Sequence, residues 1–277
     1  MATIKNIYQM KTINTLCFIL VGFAFASCQW SVKPKEDKET VPDTLAYTYK
    51  TIHERAADCG TKSDSACTVV IVKYAVFKGQ KKLNDSVMRK LTNLFAMDGK
   101  PDSSAEIMGK KFLKAYADFK KSDPRSAMYF TLDSHARVLM QDSSITTLEV
   151  GGYTYQGGGH GSSGTYFINW NTKANKSITL DDLFIDGYAD KLKAIAERIF
   201  RKQEKLSDTS SLARDYFFKD NKFALNDNFS VTPIGLKFVY NQYEIKPYAA
   251  GITELVIPYS QIKSLLRPNS VVGKFIK

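Results

Sequence analysis

The sequence predicts an α+β fold in which antiparallel sheets pack against helices in two intimately associated halves. Strand-like segments occur in runs that are interrupted by pairs of helical segments, whereas an α/β fold would alternate the two strictly. Hydrophobic residues make up 44% of the 277 residues and aromatic residues 12%, which is enough for a folded core. We predict an N-terminal α+β domain at residues 45–150 and a C-terminal α+β domain at residues 151–277.

The beginning of the chain resembles a bacterial export signal. Lys5 and Lys11 form a basic start, an apolar run follows at residues 16–26, and small residues precede Cys28. The run is shorter than the roughly 20 residues that cross a bilayer. A buried core helix is the alternative, but no amphipathic sequence surrounds the run. We expect residues 1–27 to be a lipoprotein signal peptide and Cys28 to be lipidated, which anchors the chain at the cell envelope, in the periplasm or on the outer membrane surface.

The segment after Cys28 is polar and strongly charged. Residues 28–44 contain two prolines and the run KEDKE, so we expect a flexible tether. A lysine followed by acidic residues near such a cysteine resembles the surface-export signal of some Bacteroidetes-type lipoproteins.

The chain is basic, with a net charge of +11 that falls to +9 when Lys5 and Lys11 leave with the signal. Outside the cytoplasm a basic surface attracts lipid head groups, acidic glycans or wall polymers, and we expect no nucleic-acid partner. Lysines that only keep the fold soluble are the alternative.

Two cysteines remain after Cys17 and Cys28 are assigned to the signal and the lipid. Cys59 and Cys67 flank a polar turn, and an exported protein meets an oxidising environment, so we predict a disulfide between them. We expect no metal site, because the histidines form no cluster of ligand spacing with these thiols.

Periodicity predicts the elements of the N-terminal half. The strands at 45–56 and 68–77 are rich in β-branched and aromatic residues and should pair as a hairpin. Helices are predicted at 84–95 and 105–121, the second from a core-facing stripe at helical spacing. Apolar residues alternate over 128–140, which predicts a half-buried antiparallel strand with His135 towards solvent.

The C-terminal half is predicted to contain strands, three helical segments and two unusual loops. The predicted strands are 145–155, 165–170, 235–240 and 253–257, and helices are predicted around 192–200 and 260–266. Asp181 and Asp182 could form a catalytic or Ca²⁺-binding carboxylate pair. The same residues fit a helix start better, with Thr179 as the cap and Asp182 three residues later.

The first unusual loop lies in the glycine-rich residues 151–164. Three consecutive glycines allow positive φ angles and place His160 at a loop tip between strands. A phosphate loop is excluded because a strand, not a helix, follows. His160 could act as a base for Ser162 or Ser163, but no acid partner can be assigned from sequence, so a structural or ligand-contacting histidine is favoured.

The second unusual loop, residues 240–251, carries three tyrosines and is bounded by proline and glycine. Exposed tyrosines provide rigid contact area with a hydrogen-bonding hydroxyl, although they could equally cover a sheet edge. We predict a binding site on the two loops and assign no catalytic residue and no cofactor. The predicted binding residues are Tyr155, His160, Ser162, Tyr243, Glu244 and Tyr248.

Several motifs carry a family resemblance: residues 155–161 (YQGGGHG), 167–171 (FINWN), 177–184 (SITLDDLF), 243–251 (YEIKPYAAG) and 257–259 (IPY). In order and spacing they are similar to the domain-of-unknown-function family numbered 3298. Residues 45–150 resemble, less specifically, its N-terminal companion, numbered 4163.

Together the two segments resemble the ectodomain of lysozyme-sensing anti-sigma factors. The resemblance implies an α+β fold and a binding role, with the loop around Tyr243 as a candidate contact for a lysozyme. The chain departs from the pattern at Gln242, where a proline is expected. Its charge of +9 also opposes long-range attraction to basic lysozymes.

We therefore expect a lipid-anchored, non-enzymatic ectodomain that binds a cell-wall glycan or a secreted, lysozyme-like protein. The alternative is a hydrolase or deacetylase of wall or glycan that uses His160 with a carboxylate such as Asp181 or Glu244. The companion domain also precedes deacetylase domains in some wall enzymes, as the resemblance implies. A structural envelope protein without a small ligand is the third interpretation.

Overall fold

The computed structural model describes residues 44–96 and 99–276, in which nine strands form two sheets. The strands are β1 (Tyr47–Arg55), β2 (Val69–Phe77), β3 (Thr131–Gln141), β4 (Ile145–Tyr155), β5 (Ser162–Asn171), β6 (Lys176–Ser177), β7 (Phe229–Val231), β8 (Gly235–Tyr240) and β9 (Thr253–Pro258). The helices are α1 (Lys81–Asn93), α2 (Ala105–Ser122), α3 (Leu180–Leu183), α4 (Ala189–Gln203) and α5 (Tyr259–Ile262). The predicted α+β class is confirmed.

The larger sheet contains six strands in chain order, from β1 at one edge to β6 at the other. β1 and β2 form the predicted antiparallel hairpin, with Tyr47 opposite Phe77. β3 is antiparallel to β4 as predicted, but it runs parallel to β2. The parallel pairing is possible because α1 and α2 form the connection from the end of β2 to the start of β3. Parallel neighbouring strands require such a crossover connection.

The smaller sheet contains β7, β8 and β9, all antiparallel. The sequence predicted β8 and β9 but not β7, which is only three residues long. Asn169 of β5 joins the two sheets. Its buried side-chain amide donates to the Phe229 carbonyl at 2.8 Å and accepts from the Val231 backbone N–H at 2.8 Å. This one side chain therefore satisfies two backbone groups of β7.

Two hydrophobic clusters form the core. In the first, α1 and α2 pack on the larger sheet, with Leu83, Phe112 and Trp170 almost fully buried. In the second, α4, α5 and the smaller sheet surround side chains such as Phe200 and Phe238, which are fully buried. Burying one such side chain contributes about 2–3 kcal/mol.

The predicted boundary at residue 150 falls within β4. Ile145 of β4 packs in the second cluster, whereas Ile168 of β5 packs in the first. The larger sheet thus supplies side chains to both clusters, from strands that lie before and after the predicted boundary in the chain. The division into domains at 45–150 and 151–277 stays a prediction.

Two local predictions are confirmed. Cys59 and Cys67 form a disulfide with 5.3 Å between their Cα atoms. Thr179 caps the start of α3, and Asp182 accepts hydrogen bonds from the Thr179 backbone N–H at 2.9 Å and from its hydroxyl at 3.0 Å. Asp182 therefore serves the helix start, as the capping interpretation expects.

Other predictions concern the N-terminal part of the chain. The predicted signal peptide, Cys28 and all but the last residue of the predicted tether lie outside the described residues. In the part of the chain that the structure describes, no helix is both long and apolar enough to span a bilayer.

Candidate functional site

The two loops that were predicted to bind a partner contact each other. The Tyr243 hydroxyl lies 3.2 Å from His160 Nε2, and the Tyr248 ring stacks on the imidazole with 3.9 Å between ring centres. The two tyrosine rings are 5.5 Å apart. We call these three side chains the aromatic cluster. His160 is exposed and Tyr243 is 56% exposed, so the cluster presents aromatic surface to solvent.

Glycines determine the shape of the His160 loop. Gly157 and Gly158 have φ angles of 100° and 90°, which residues with a Cβ rarely adopt. A Cβ at Gly161 would come within 2.3 Å of the Tyr153 ring, so the loop also approaches that ring closely. The glycine-rich sequence is therefore explained by backbone conformation and close packing.

Hydrogen bonds define the proton arrangement on His160. His160 Nδ1 lies 2.9 Å from the Gly161 carbonyl oxygen, which can only accept a hydrogen bond. In the neutral imidazole Nδ1 therefore carries the proton, and Nε2 accepts from the Tyr243 hydroxyl. Both ring nitrogens of His160 have a partner within the protein.

Tyr240 is the last residue of β8 and is buried, so the tyrosine loop comprises residues 241–251, and it is joined to the edge of β5. The Asn241 side chain accepts from the Thr165 backbone N–H at 2.7 Å and donates to the Thr165 carbonyl at 3.1 Å. An asparagine side chain here occupies the position of a neighbouring strand. This contact fixes the loop beside the strand that follows His160.

Two charged side chains also hold the tyrosine loop. Glu244 accepts from Asn226 Nδ2 at 2.7 Å and from the Asn241 backbone N–H at 2.8 Å. The Lys246 amine lies 2.9 Å from the carboxylate of Glu204, which directly follows α4, and both side chains are largely buried. The Tyr216 hydroxyl donates to the same Glu204, and burial together with this carboxylate raises the pKa of Tyr216 to about 12.

The six predicted binding residues thus divide into three groups. His160, Tyr243 and Tyr248 meet in the aromatic cluster. Tyr155 and Glu244 support the loops, since the Tyr155 hydroxyl donates to the Gly158 carbonyl at 3.2 Å. Ser162 is exposed at the first residue of β5. The assignment of these residues to binding stays a prediction.

The surroundings of His160 do not assemble a catalytic acid–base pair. In the described residues no carboxylate is hydrogen-bonded to His160. Asp181, one proposed partner, instead accepts from the Tyr188 hydroxyl at 2.9 Å. Burial and this carboxylate raise the pKa of Tyr188 to about 12. Nor do the described residues contain a group of three or more His, Cys, Asp and Glu side chains that could hold a metal ion.

The structure also contains a large open groove that the sequence did not predict. Its volume is about 1160 Å³, and it lies between α1 and the segment from β5 to α3. We call it the α1 groove. Its residues are scattered over the chain, so no local motif identifies it. Side chains that line it include Lys82, Arg89, Lys90, Tyr166, Trp170, Lys176, Asp181 and Tyr188.

Partial burial changes the properties of two groups in the α1 groove. The Lys90 amine lies 5.6 Å from the centre of the Tyr166 ring, and burial lowers its pKa. Burial, and to a lesser extent the Glu244 carboxylate, raises the pKa of Tyr166. The Trp170 indole N–H is buried and has no hydrogen-bond partner among the described residues.

A segment of the C-terminal half matches a known family. Residues 181–260 match the model of the family described as "Protein of unknown function (DUF3298)". This segment is a DUF3298 domain. It contains the tyrosine loop, whereas His160 and β5 precede it in the chain. The predicted resemblance to this family is confirmed for the matched residues, and the N-terminal companion domain stays a prediction.

Solved structures of DUF3298 proteins have a similar fold. A member from Bacteroides fragilis NCTC 9343 has 21% sequence identity and a TM-score of 0.65, over 84% of this chain and 97% of that chain. A second, from Pseudomonas aeruginosa PAO1, has 21% identity and a TM-score of 0.65, over 81% of this chain and 95% of that chain. No curated protein matches the chain. At this identity the likeness supports the fold alone.

Proposed function

We propose that this chain is an envelope-anchored lipoprotein whose folded part binds a partner and catalyses no reaction. The partner is a secreted protein, such as a lysozyme, or a cell-wall glycan. The observation that carries this proposal is the aromatic cluster. Tyr243 and His160, 83 residues apart in the chain, meet at an exposed surface.

The chemistry of the cluster suits recognition. A tyrosine ring offers a large apolar face and a hydroxyl while losing only two side-chain rotations on binding. Tyrosine is also enriched among the residues that dominate interface energies. Because Asn241, Glu244 and Lys246 already hold the tyrosine loop, little ordering remains to oppose association.

The same geometry argues against catalysis at His160. A general base needs a free nitrogen near its substrate, and here Gly161 and Tyr243 occupy both nitrogens. The two carboxylates that could assist it, Asp181 and Glu244, are hydrogen-bonded to other groups. Binding is therefore the function that the described residues support best.

Charge makes a further distinction between partners. The predicted mature chain carries +9, so a basic lysozyme is repelled at long range and must bind through contacts at the cluster. Screening by salt weakens this repulsion. We expect the association rate with lysozyme to rise with ionic strength, whereas an anionic glycan would show the opposite dependence.

Binding of the detergent-solubilised full chain to lysozyme and to soluble wall fragments tests the proposal. We expect Tyr243→Ala to weaken binding of the true partner about tenfold or more, since a central tyrosine contributes over 1.4 kcal/mol. Tyr49→Ala is the matched control, because Tyr49 is 43% exposed but lies on β1 at the other edge of the sheet. Failure of both partners to bind, or equal binding by the two variants, would refute the proposal.

A further inference from the structure

We propose that the α1 groove is a second binding site, distinct from the aromatic cluster, and that it takes a linear oligosaccharide bearing carboxylate groups. The groove has a cationic wall and tyrosines at its surface. Its volume of about 1160 Å³ exceeds the size of common small-molecule pockets, and it is open to solvent. A chain of several sugars fits such a shape better than a single small molecule.

The wall formed by α1 is cationic. Lys82, Arg89 and Lys90 all line the groove. Within residues 44–96 and 99–276, none of the three forms an ion pair with a carboxylate. Lys82 and Arg89 are seven residues apart and so lie on one helix face. Three cations of α1 are thus available to negatively charged groups of a ligand.

The acidic residues that line the groove form no ion pair with the cations of this wall. Asp85 pairs with Lys81 at 2.6 Å, and Asp181 accepts from Tyr188. Lys176 is paired with Asp182. Asp227 is exposed and also lines the groove. Lys82, Arg89 and Lys90 therefore keep their positive charge without an ion-pair partner among the described residues.

Other groups in the groove match a sugar. Tyr166 is 36% exposed, and Tyr188 also lines the groove, so both rings can pack against sugar faces. The Asn93 and Asn175 side chains line the same surface and can bond hydroxyl groups.

An acidic peptide that extends the sheet is excluded by the edge of β5. The Thr165 backbone is already bonded to Asn241, and its carbonyl also accepts from Asn228 Nδ2 at 2.8 Å. The Asn169 carbonyl accepts from the Ile178 N–H at 2.7 Å. Because these positions are occupied on both sides of Phe167, a second strand cannot pair along this edge.

Calorimetric titration of the detergent-solubilised full chain with hexagalacturonate, a carboxylate-bearing oligosaccharide, tests the proposal. Its fully methyl-esterified form is the neutral control. We expect the acid to bind at least about tenfold more tightly than the ester, a difference of about 1.4 kcal/mol. Raising NaCl from about 50 to about 500 mM should weaken binding of the acid, because screening acts on exposed charges.

Charge-reversal variants locate the site. Arg89→Glu and Lys90→Glu should each weaken binding about tenfold or more, since each removes an anion contact and adds repulsion. Lys191→Glu, an exposed lysine of α4 outside the groove, makes the same change in net charge and should alter binding less than about twofold. Unchanged melting temperatures establish that the variants fold, and exposed Arg89 serves if the half-buried Lys90 does not tolerate reversal.

Four results would overturn the inference. The first is no binding of hexagalacturonate, and the second is equal binding of acid and ester. The third is equal loss in the groove variants and in Lys191→Glu, which would indicate attraction to net charge alone. Hexaglutamate that binds as tightly as hexagalacturonate would refute the sugar assignment. None of these measurements depends on Tyr243, so binding to the groove can still be measured in the Tyr243→Ala variant. Failure of the proposed function at the aromatic cluster is therefore distinguished from failure of this inference.

Discussion

At the scale of single residues, the Glu149 carboxylate links the charge state of the protein to its stability. Glu149 of β4 accepts from His135 at 3.1 Å and from Arg137 Nε at 2.9 Å, both on the neighbouring β3, and its side chain is only 13% exposed. The hydrogen bond from His135, followed by the charge of Arg137, lowers the pKa of Glu149. Protonation of Glu149 must therefore weaken the native state.

We predict that Glu149→Gln flattens the acid limb of the stability curve. The pKa is lower in the folded chain than in the unfolded chain, so the unfolded chain binds more protons as pH falls below about 4.3. The wild-type chain should lose the stabilisation from Glu149 as the pH falls through that range. The variant lacks this stabilisation at every pH, so at neutral pH its free energy of unfolding should be lower than that of the wild type by about 1–2 kcal/mol. Urea unfolding at several pH values measures both, and parallel curves for the two proteins would contradict the prediction.

The disulfide gives a second prediction at this scale. Cys59 and Cys67 close a loop with a sequence separation of 8. In the chain-entropy account, opening a loop of this size costs about 2.5 kcal/mol. We expect the free energy of unfolding of the double variant Cys59→Ala/Cys67→Ala to be lower by that amount, so that the variant unfolds at a lower denaturant concentration. Reduction of the wild-type chain should give the same shift. If neither treatment lowers the free energy of unfolding, the surrounding contacts stabilise this loop without the disulfide.

At the scale of elements, the contact between the two sheets depends on Asn169. This side chain is 4% exposed and bonds the Phe229 carbonyl and the Val231 N–H. Asn169→Leu would leave two buried backbone groups without partners, for which we predict a loss of about 2–4 kcal/mol in the free energy of unfolding. Asn93→Leu, on an exposed position of α1, should change it by less than about 0.5 kcal/mol. A loss below about 1 kcal/mol for Asn169→Leu would mean that β7 is held by other contacts.

Elements with strong local patterns were predicted from the sequence almost to the residue. β4 and β8 have the predicted bounds, because alternating or β-branched residues end at clear turns. β7 and the segment before it were missed. Tyr216, Phe218 and Phe223 are buried in the second cluster without any regular spacing that would predict a helix or strand. Their burial depends on tertiary contacts that short-range patterns do not contain.

The candidate site illustrates the same limit. The glycine loop and the tyrosine loop were each predicted from composition, but the contact between His160 and Tyr243 joins residues 83 apart. Asn241 and Asn226, which hold the tyrosine loop, had no sequence signal, because an asparagine that bonds to a distant backbone looks like any polar loop residue. The α1 groove was missed for a related reason: α1, β5 and α3 each contribute only part of its wall.

At the scale of the whole molecule, the proposed function depends on where the chain resides. The aromatic cluster and the α1 groove suit extracellular partners only if the protein is exported and held at the envelope. A diacyl or triacyl modification of Cys28 would provide durable anchoring, since each buried methylene contributes about 0.8 kcal/mol and one chain alone binds only reversibly.

We predict that Cys28→Ala moves the full chain from the membrane fraction to the aqueous fraction of a detergent phase separation. Cys17→Ala is the matched control, because Cys17 lies within the predicted signal and should leave lipidation intact. Mass spectrometry of the wild-type chain should find an amino-terminal peptide that begins at an acylated Cys28. An uncleaved amino terminus with an unmodified thiol would contradict the anchor, and with it the reason to seek partners of the aromatic cluster outside the cell.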